Sequence, residues 1–330
     1  MDQPETQPTR NLALELVRVT EAAALGAGRQ MGRGDKNAAD KAAVDGMRLV
    51  LNTIQMDGVI VIGEGEKDEA PRLYNGEHLG TGDSPQVDIA VDPIDGTRPL
   101  ALGLSNSIAT VALAPRGALF NPGPFMYMNK IVVGPQAKDV IDIEAPVADN
   151  LQRIARAKGE RVEDLTVVIL DRARHQNLIT QVRKCGARIR LIPDGDVSGA
   201  LMTCLPESGI DVLLGTGGSP EGVIAACAVR CMGGYMQGKL VPRTEDESTR
   251  GRALGYDFNR VLTLETLVSS DDIFFAATGI TGGDLLHAVV FYADGARTDS
   301  LVMRGITGTV RRITATHRLS KLNKISSLTY

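Results

Sequence analysis

At 330 residues, with 43% hydrophobic and 23% charged side chains, the chain can bury a large core and has an ordinary globular composition. A net charge of -4 offers no electrostatic case for nucleic acid, which would need a basic face, so an anionic ligand has to be held by local arginines, backbone amides or bound cations. Four cysteines do not make a secreted disulfide framework, residues 1–10 lack the apolar stretch of a secretory signal, and apolar runs such as 222–229 are too short to cross a bilayer, so a cytoplasmic protein with no membrane partner is expected.

Leu12, Leu16, Val19 and Ala23 recur at helical spacing and predict a helix over 11–30. A second helix over 38–55 would bury Val44, Met47, Leu51 and Ile54. The β-branched run Val59-Ile60-Val61-Ile62 then reads as a buried strand. Further strands are expected at 87–91, 107–114 and 131–133, and a lobe boundary between about 135 and 165. Beyond it, strands at 166–170, 188–192 and 211–214 alternate with helices at 175–185, 197–205 and 220–232. That pattern predicts an α/β fold with a mostly parallel sheet covered by helices, in which ligands gather beyond the carboxyl ends of the strands. Strands at 273–278 and 309–316 close the chain.

The strongest chemical signal is Asp92-Pro93-Ile94-Asp95-Gly96-Thr97 at a strand end. Pro93 cannot donate to a ladder, so the strand should stop at Asp92, and Gly96 permits a sharp turn. Two carboxylates on one rigid corner raise each other's pKa unless a cation sits between them, and hard oxygen ligands suit Mg²⁺ or Mn²⁺. Helix capping by Asp95 would explain an isolated Asp-Gly pair, but the six-residue string favours a metal site.

Three other segments are less specific on local grounds. The acidic stretch from Ile62 to Glu69 follows a strand; it lacks a dinucleotide-binding third glycine and reads equally as a solvated turn or a metal site. Residues 32–40 open the second helix, where Asp35 suits an N-cap and structural roles outweigh catalytic ones for Asp35 and Asp40 alike. Residues 215–222 join a strand to a helix with Pro220 at the first helical position and Glu221 beside it, an arrangement that can bind an anion or a metal but is common as a plain turn. Arg172, Arg174 and the Asp194-Gly195-Asp196 run follow strands and suit phosphate oxygens and sugar hydroxyls; surface ion pairs explain them equally well. His175 reads as a surface or core residue, and Cys227 and Cys231 as buried thiols.

Residues 92–97 resemble the signature of the metal-dependent phosphatases that include inositol monophosphatases and fructose bisphosphatases. Residues 32–40, 61–71, 127–130, 171–175, 194–199, 217–222 and 317–322 look like class II fructose-1,6-bisphosphatase, and the resemblance covers nearly the whole chain from about residue 11. It implies a layered α-β-α-β-α fold with two lobes, 1–145 carrying the metal site and 146–330 carrying substrate-binding residues and Glu221, with the active site between them. It further implies metal ligation by Asp40, Glu64, Asp92, Asp95 and Glu221, which overturns the local reading of Asp40. Substrate binding would fall to Asp95, Gly96, Thr97, Tyr127, Arg172, Ala173, Arg174, Asp194, Gly195, Asp196 and Gly218, and catalysis to Thr97, Asp95 and Glu64. Arg98-Pro99 is a modest departure that affects loop shape. The implied activity is hydrolysis of fructose 1,6-bisphosphate in gluconeogenesis by a homo-oligomer, expected to be a tetramer. Sedoheptulose-1,7-bisphosphatase activity is the nearest alternative. An inositol monophosphatase would leave the motifs outside residues 92–97 unexplained, and a silent sugar-phosphate sensor would have no need of all five ligands and Thr97.

Overall fold

The computed structural model describes residues 11–65 and 73–325; residues 66–69 of the acidic stretch lie outside the described residues. In chain order come α1 (Ala13–Gly28), α2 (Lys36–Leu51), β1 (Asp57–Ile62), β2 (His78–Leu79), β3 (Gln86–Asp95), α3 (Thr97–Leu102), β4 (Ile108–Pro115) and β5 (Tyr127–Val133). There follow α4 (Val147–Lys158), β6 (Thr166–Leu170), α5 (Gln176–Lys184), β7 (Arg188–Ile192), α6 (Asp196–Met202), β8 (Val212–Gly218), α7 (Ser219–Cys231), β9 (Tyr235–Leu240) and α8 (Glu245–Ala253). The chain closes with β10 (Leu262–Thr263), α9 (Leu264–Leu267), β11 (Phe274–Gly279), β12 (Val290–Tyr292), β13 (Gly295–Arg304), β14 (Thr309–Arg318) and α10 (Leu319–Ile325). Among the described residues, no helix is long and apolar enough to cross a membrane.

Two sheets result, ordered β12-β13-β11-β4-β3-β1-β2 with β14 on β13, and β10-β9-β5-β8-β6-β7. Both are mixed. Only β1–β3 is parallel in the first, and β6–β7 and β6–β8 in the second, so the expected mostly parallel sheet is corrected: β5 runs antiparallel to both β8 and β9. The sheets do not divide at residues 145/146. Strand β5, which precedes that point, is central in the second sheet, while β11 to β14 return to complete the first.

The central strands β3, β4 and β11 are buried on both faces, which is why they read as continuous apolar runs. In β3, Ile89 and Val91 pack against α1 and α2, while Ala90 joins the layer around α6 and α7. In β5, Val132 faces that same central layer, while Ile131 and Val133 face α4 and α5. The order is therefore helices, sheet, helices, sheet, helices, an α/β sandwich of five layers. Helix α7 lies in the middle, with Val223 to Val229 buried.

Helices α1 and α2 approach so closely that a Cβ on Gly46 would stand 2.6 Å from the Ala22 carbonyl oxygen. Glycine to alanine inside a helix ordinarily stabilises by about 1 kcal/mol. Here overpacking costs about 1–3 kcal/mol and wins. Gly46→Ala is expected to lower the thermal midpoint, and a rise in a melting experiment would show that the helix pair can separate without loss.

Candidate active site

Strand β3 does not stop at Asp92. It continues to Asp95 through a bulge: Asp92 pairs with Thr110 and Asp95 with Ile108, so three residues of β3 advance against two of β4. Pro93 sits in that irregularity, where its missing N–H breaks no ladder bond. The bulge also sets the chemistry. Residues three apart in a regular strand point to opposite faces, but the extra residue turns Asp92 and Asp95 into one cleft. Gly96, at φ +96°, then starts α3, and its carbonyl accepts from Ser107 Oγ at 2.7 Å.

The cleft has a volume of about 900 Å³ and is lined by Asp40, Glu64, Asp92, Asp95, Thr97, Asp194 and Glu221. Asp40 comes from α2, whose first turn Asp35 caps by accepting from Ala38 N–H at 3.0 Å. Glu64 follows β1, and its N–H donates to Leu73 O at 2.8 Å. A Cβ on Gly63 would overlap that same carbonyl. Glu221 opens α7 next to Gly218, whose missing side chain leaves room for the Glu221 carboxylate. The Thr97 hydroxyl donates to Ile94 O at 3.2 Å and also lies within hydrogen-bonding reach of Asp40.

Burial and mutual repulsion dominate the electrostatics. Burial, then Asp95, Glu221 and Glu64, push Asp92 well above the usual carboxylate range. Asp95 is raised by burial, then by Asp196, Glu221 and Asp194. Glu64 is pushed up to about 7 by burial, Asp40 and Glu221. Asp40 and Glu221 are raised as well, in each case mainly by burial. Among the described residues, Glu221 Oε2 is the one buried side-chain oxygen or nitrogen without a hydrogen-bond partner. An orphaned oxygen among repelling hard donors fits a divalent cation. The donors do not converge on one point: among the described residues, no group of three or more His, Cys, Asp or Glu side chains is already gathered to hold an ion. Binding one therefore requires carboxylate rotation.

The other expected binding residues lie outside the cleft lining, in an adjoining corner. Tyr127 pairs across the sheet with Gly218, and the Arg174 guanidinium lies 5.3 Å from the Tyr127 ring centre. Arg174 donates to Thr216 O at 2.6 and 3.0 Å. Arg172 donates to Pro193 O and to Asp194 Oδ1, the latter at 3.2 Å, and Ala173 begins the short turn between the two arginines. Gly195, at φ +81°, leads into Asp196, which is 6% exposed and held by Lys130 Nζ at 2.5 Å. His175 is a buried structural residue. Its Nδ1 donates to Leu170 O at 2.7 Å, and its Nε2 accepts from Thr216 N–H at 2.9 Å, tying the arginine turn to β8. Cys227 and Cys231 are free and buried, with thiols pushed up by burial.

Lys130 lies in the family-like segment 127–130, but the sequence assigned it no role of its own. It is 3% exposed and also donates to Gly218 O at 2.9 Å, so it joins Asp196 to the turn that carries Glu221. Its position in β5, one residue in from an apolar run, looks like any strand lysine. Arg243 and Arg250, in the lining of the cleft, went unassigned as well, because nothing local separates them from solvated helix charges.

The model of the family described as bacterial fructose-1,6-bisphosphatase, glpX-encoded, matches residues 10–317. The chain is 47% identical over 325 residues to fructose-1,6-bisphosphatase 1 class 2 of Escherichia coli K12, covering 94% of this chain and 96% of that protein. It is equally similar, over the same shares of both chains, to the class 2 fructose-1,6-bisphosphatases of Escherichia coli O6:H1 and Shigella flexneri.

Removing Lys130 would strand a buried carboxylate, which costs about 3–5 kcal/mol. Lys130→Met is expected to lower unfolding free energy by that order in a denaturant titration, and Lys130→Met with Asp196→Asn to recover much of it. Equal losses in the single and double variants would show that the pair is not coupled.

Proposed function

The chain belongs to the bacterial, glpX-encoded fructose-1,6-bisphosphatase family, and from that membership we infer that it is a phosphoric monoester hydrolase that converts fructose 1,6-bisphosphate to fructose 6-phosphate and phosphate. The observation that carries the reading to these residues is the cleft of mutually repelling carboxylates whose lining includes both an orphaned Glu221 oxygen and Thr97. We assign Asp40, Glu64, Asp92, Asp95 and Glu221 to divalent-metal binding. Their oxygen donors suit Mg²⁺ or Mn²⁺. When bound, the cation supplies Lewis-acid polarisation of the phosphoryl oxygens.

The chain's own residues do the rest. Thr97 orients the attacking water and passes its proton toward Asp40, while the Asp95–Thr97 corner holds the 1-phosphate. The water oxygen bonds to phosphorus as the bond from phosphorus to the C1 oxygen breaks, and that oxygen takes up a proton. In-line geometry and charge neutralisation supply most of the acceleration in such a reaction. Tyr127, Arg172, Ala173, Arg174 and Gly218 bind the distal 6-phosphate, and Asp194, Gly195 and Asp196 line the sugar side. Because Asp196 is locked to Lys130, it acts there by holding the turn. The same reading makes the protein a cytoplasmic homo-oligomer, a tetramer by resemblance.

Purified protein is expected to release phosphate from fructose 1,6-bisphosphate with Mn²⁺ or Mg²⁺ and to stop with EDTA; release unaffected by EDTA would sink the metal assignment. Asp92→Asn and Glu64→Gln should each lose about 10²–10⁴-fold in kcat while keeping a native circular dichroism spectrum. Thr97→Ala should lower kcat far more than it raises KM. The reverse pattern would make the hydroxyl a substrate contact.

A further inference from the structure

Six carboxylates line the cleft, from Asp40, Glu64, Asp92, Asp95, Asp194 and Glu221. Two bound divalent cations would offset only four charges of six ionised carboxylates before a phosphate dianion enters. Among the described residues, Arg243 and Arg250 are the lining's cationic side chains. Arg250 comes to that lining from α8 and Arg243 from the residue pair preceding it. Glu247 and Arg250 are three apart on one face of α8, and Arg243 precedes the helix's N-cap Thr244. Glu247 sits between the arginines and accepts from Arg243 Nε at 3.3 Å as well as from its backbone N–H. Arg243 is thereby tethered, and Arg250 reaches the cleft from a position on α8 three residues past that tether.

The lip is held by packing. Ser248 and Gly251 are the buried residues of α8. A Cβ on Gly251 would overlap the Phe258 ring and stand 2.7 Å from Phe125. Phe125 is itself 1% exposed and set edge-on to Tyr256 and Phe258 at 4.8 and 5.0 Å. The loop that carries Phe125 supplies Pro122, Gly123, Pro124 and Met126 to the same cavity. A helix docked through glycine onto an aromatic cluster thus places Arg250 in the lining shared with the acids, with Arg243 just before its first turn.

We propose that Arg250, with Arg243 beside it, contacts the non-bridging oxygens of the scissile phosphate and of the phosphate product. This rests on the phosphatase reading of the cleft. The scissile group is singled out by placement. Tyr127, Arg174 and Gly218 cluster in a corner outside the cavity lining, whereas Arg243 and Arg250 share their cavity with Thr97 and the acids. Arginine's planar fork suits two phosphate oxygens at once, and donors aimed at a transferring phosphoryl group strengthen as its charge shifts.

The test compares wild type with Arg250→Gln, Arg250→Lys, Arg243→Gln and, as a control on the outer side of the same helix, Arg252→Gln. Substrates are fructose 1,6-bisphosphate and fructose 1-phosphate, which lacks the distal phosphate. Binding of inorganic phosphate to the Mn²⁺-loaded protein is measured by calorimetry. Arg250→Gln is expected to lower kcat/KM by about 10- to 100-fold on both substrates and to weaken phosphate binding about tenfold. Arg250→Lys should recover part of each, Arg243→Gln should show a smaller loss, and Arg252→Gln should match wild type. Unchanged phosphate binding in Arg250→Gln, or a loss confined to the bisphosphate, overturns the proposal. Absence of turnover by wild type on either substrate would count against the substrate assignment instead, because the phosphate-binding comparison stands without turnover.

Discussion

Everything at the cleft follows from placing negative charge where water cannot screen it. Asp92 and Asp95 on β3, Glu64 after β1 and Glu221 on α7 come from three different places in the chain. Their shared desolvation and repulsion disfavour the ionised forms together. Such an arrangement opposes folding unless the rest of the molecule over-determines it. Five packed layers supply that constraint, with α7 wedged between two sheets and Glu221 at its first turn. The lining of the cleft therefore holds more acids than arginines, which leaves room for further counter-charge from outside the chain.

Two kinds of cation answer that charge, and the fold separates them. Lys130 is permanent: buried in β5, it neutralises Asp196 and holds the Gly218 carbonyl, so the turn leading into Glu221 is fixed without exchangeable ions. Glu221 itself is left with an unpartnered oxygen. A lysine placed to satisfy both would compete with any metal for Glu221. Pairing the back row and leaving the front row open keeps the turn rigid while preserving affinity for a cation. The glycines at 217 and 218 belong to the same design, since a Cβ at either would overlap the Asp196 or the Glu221 carboxylate.

Much of this was legible in the sequence. Central strands and helices fell within a few residues of their expected positions, because strands buried on both faces and helices with one apolar stripe each leave a strong pattern. The family resemblance gave the acids that meet in the cleft, which periodicity alone did not. The losses have physical causes. Strand β3 runs past Pro93 because a bulge, a tertiary feature, absorbs the missing donor. Strand β13 went unread because Thr298, Asp299 and Ser300 interrupt its apolar pattern. All three are buried, and each has a partner far away in sequence: Thr298 with Glu21, Asp299 with Arg312, Ser300 with Thr278. Helix α4 went unread because its charged outer face hides the buried stripe of Leu151, Ile154 and Ala155.

The residues that escaped at the site share one property. Asp92, Glu64 and Glu221 stand at strand ends and turns, where glycine and proline mark the chain. Lys130 and Arg250 stand on regular elements and Arg243 just before one, where a single basic residue carries no signal of its own. Their meaning comes from what they face. Lys130 becomes a counter-ion because β8 and α6 bring Gly218 and Asp196 to it, and the α8 lip becomes cationic toward the cleft because Phe125 and Gly251 dock it there. Carboxylates that create the problem are therefore written in local motifs, whereas the cations that balance them are written in tertiary structure. A reading confined to motifs finds the charge that needs compensation and misses most of what compensates it.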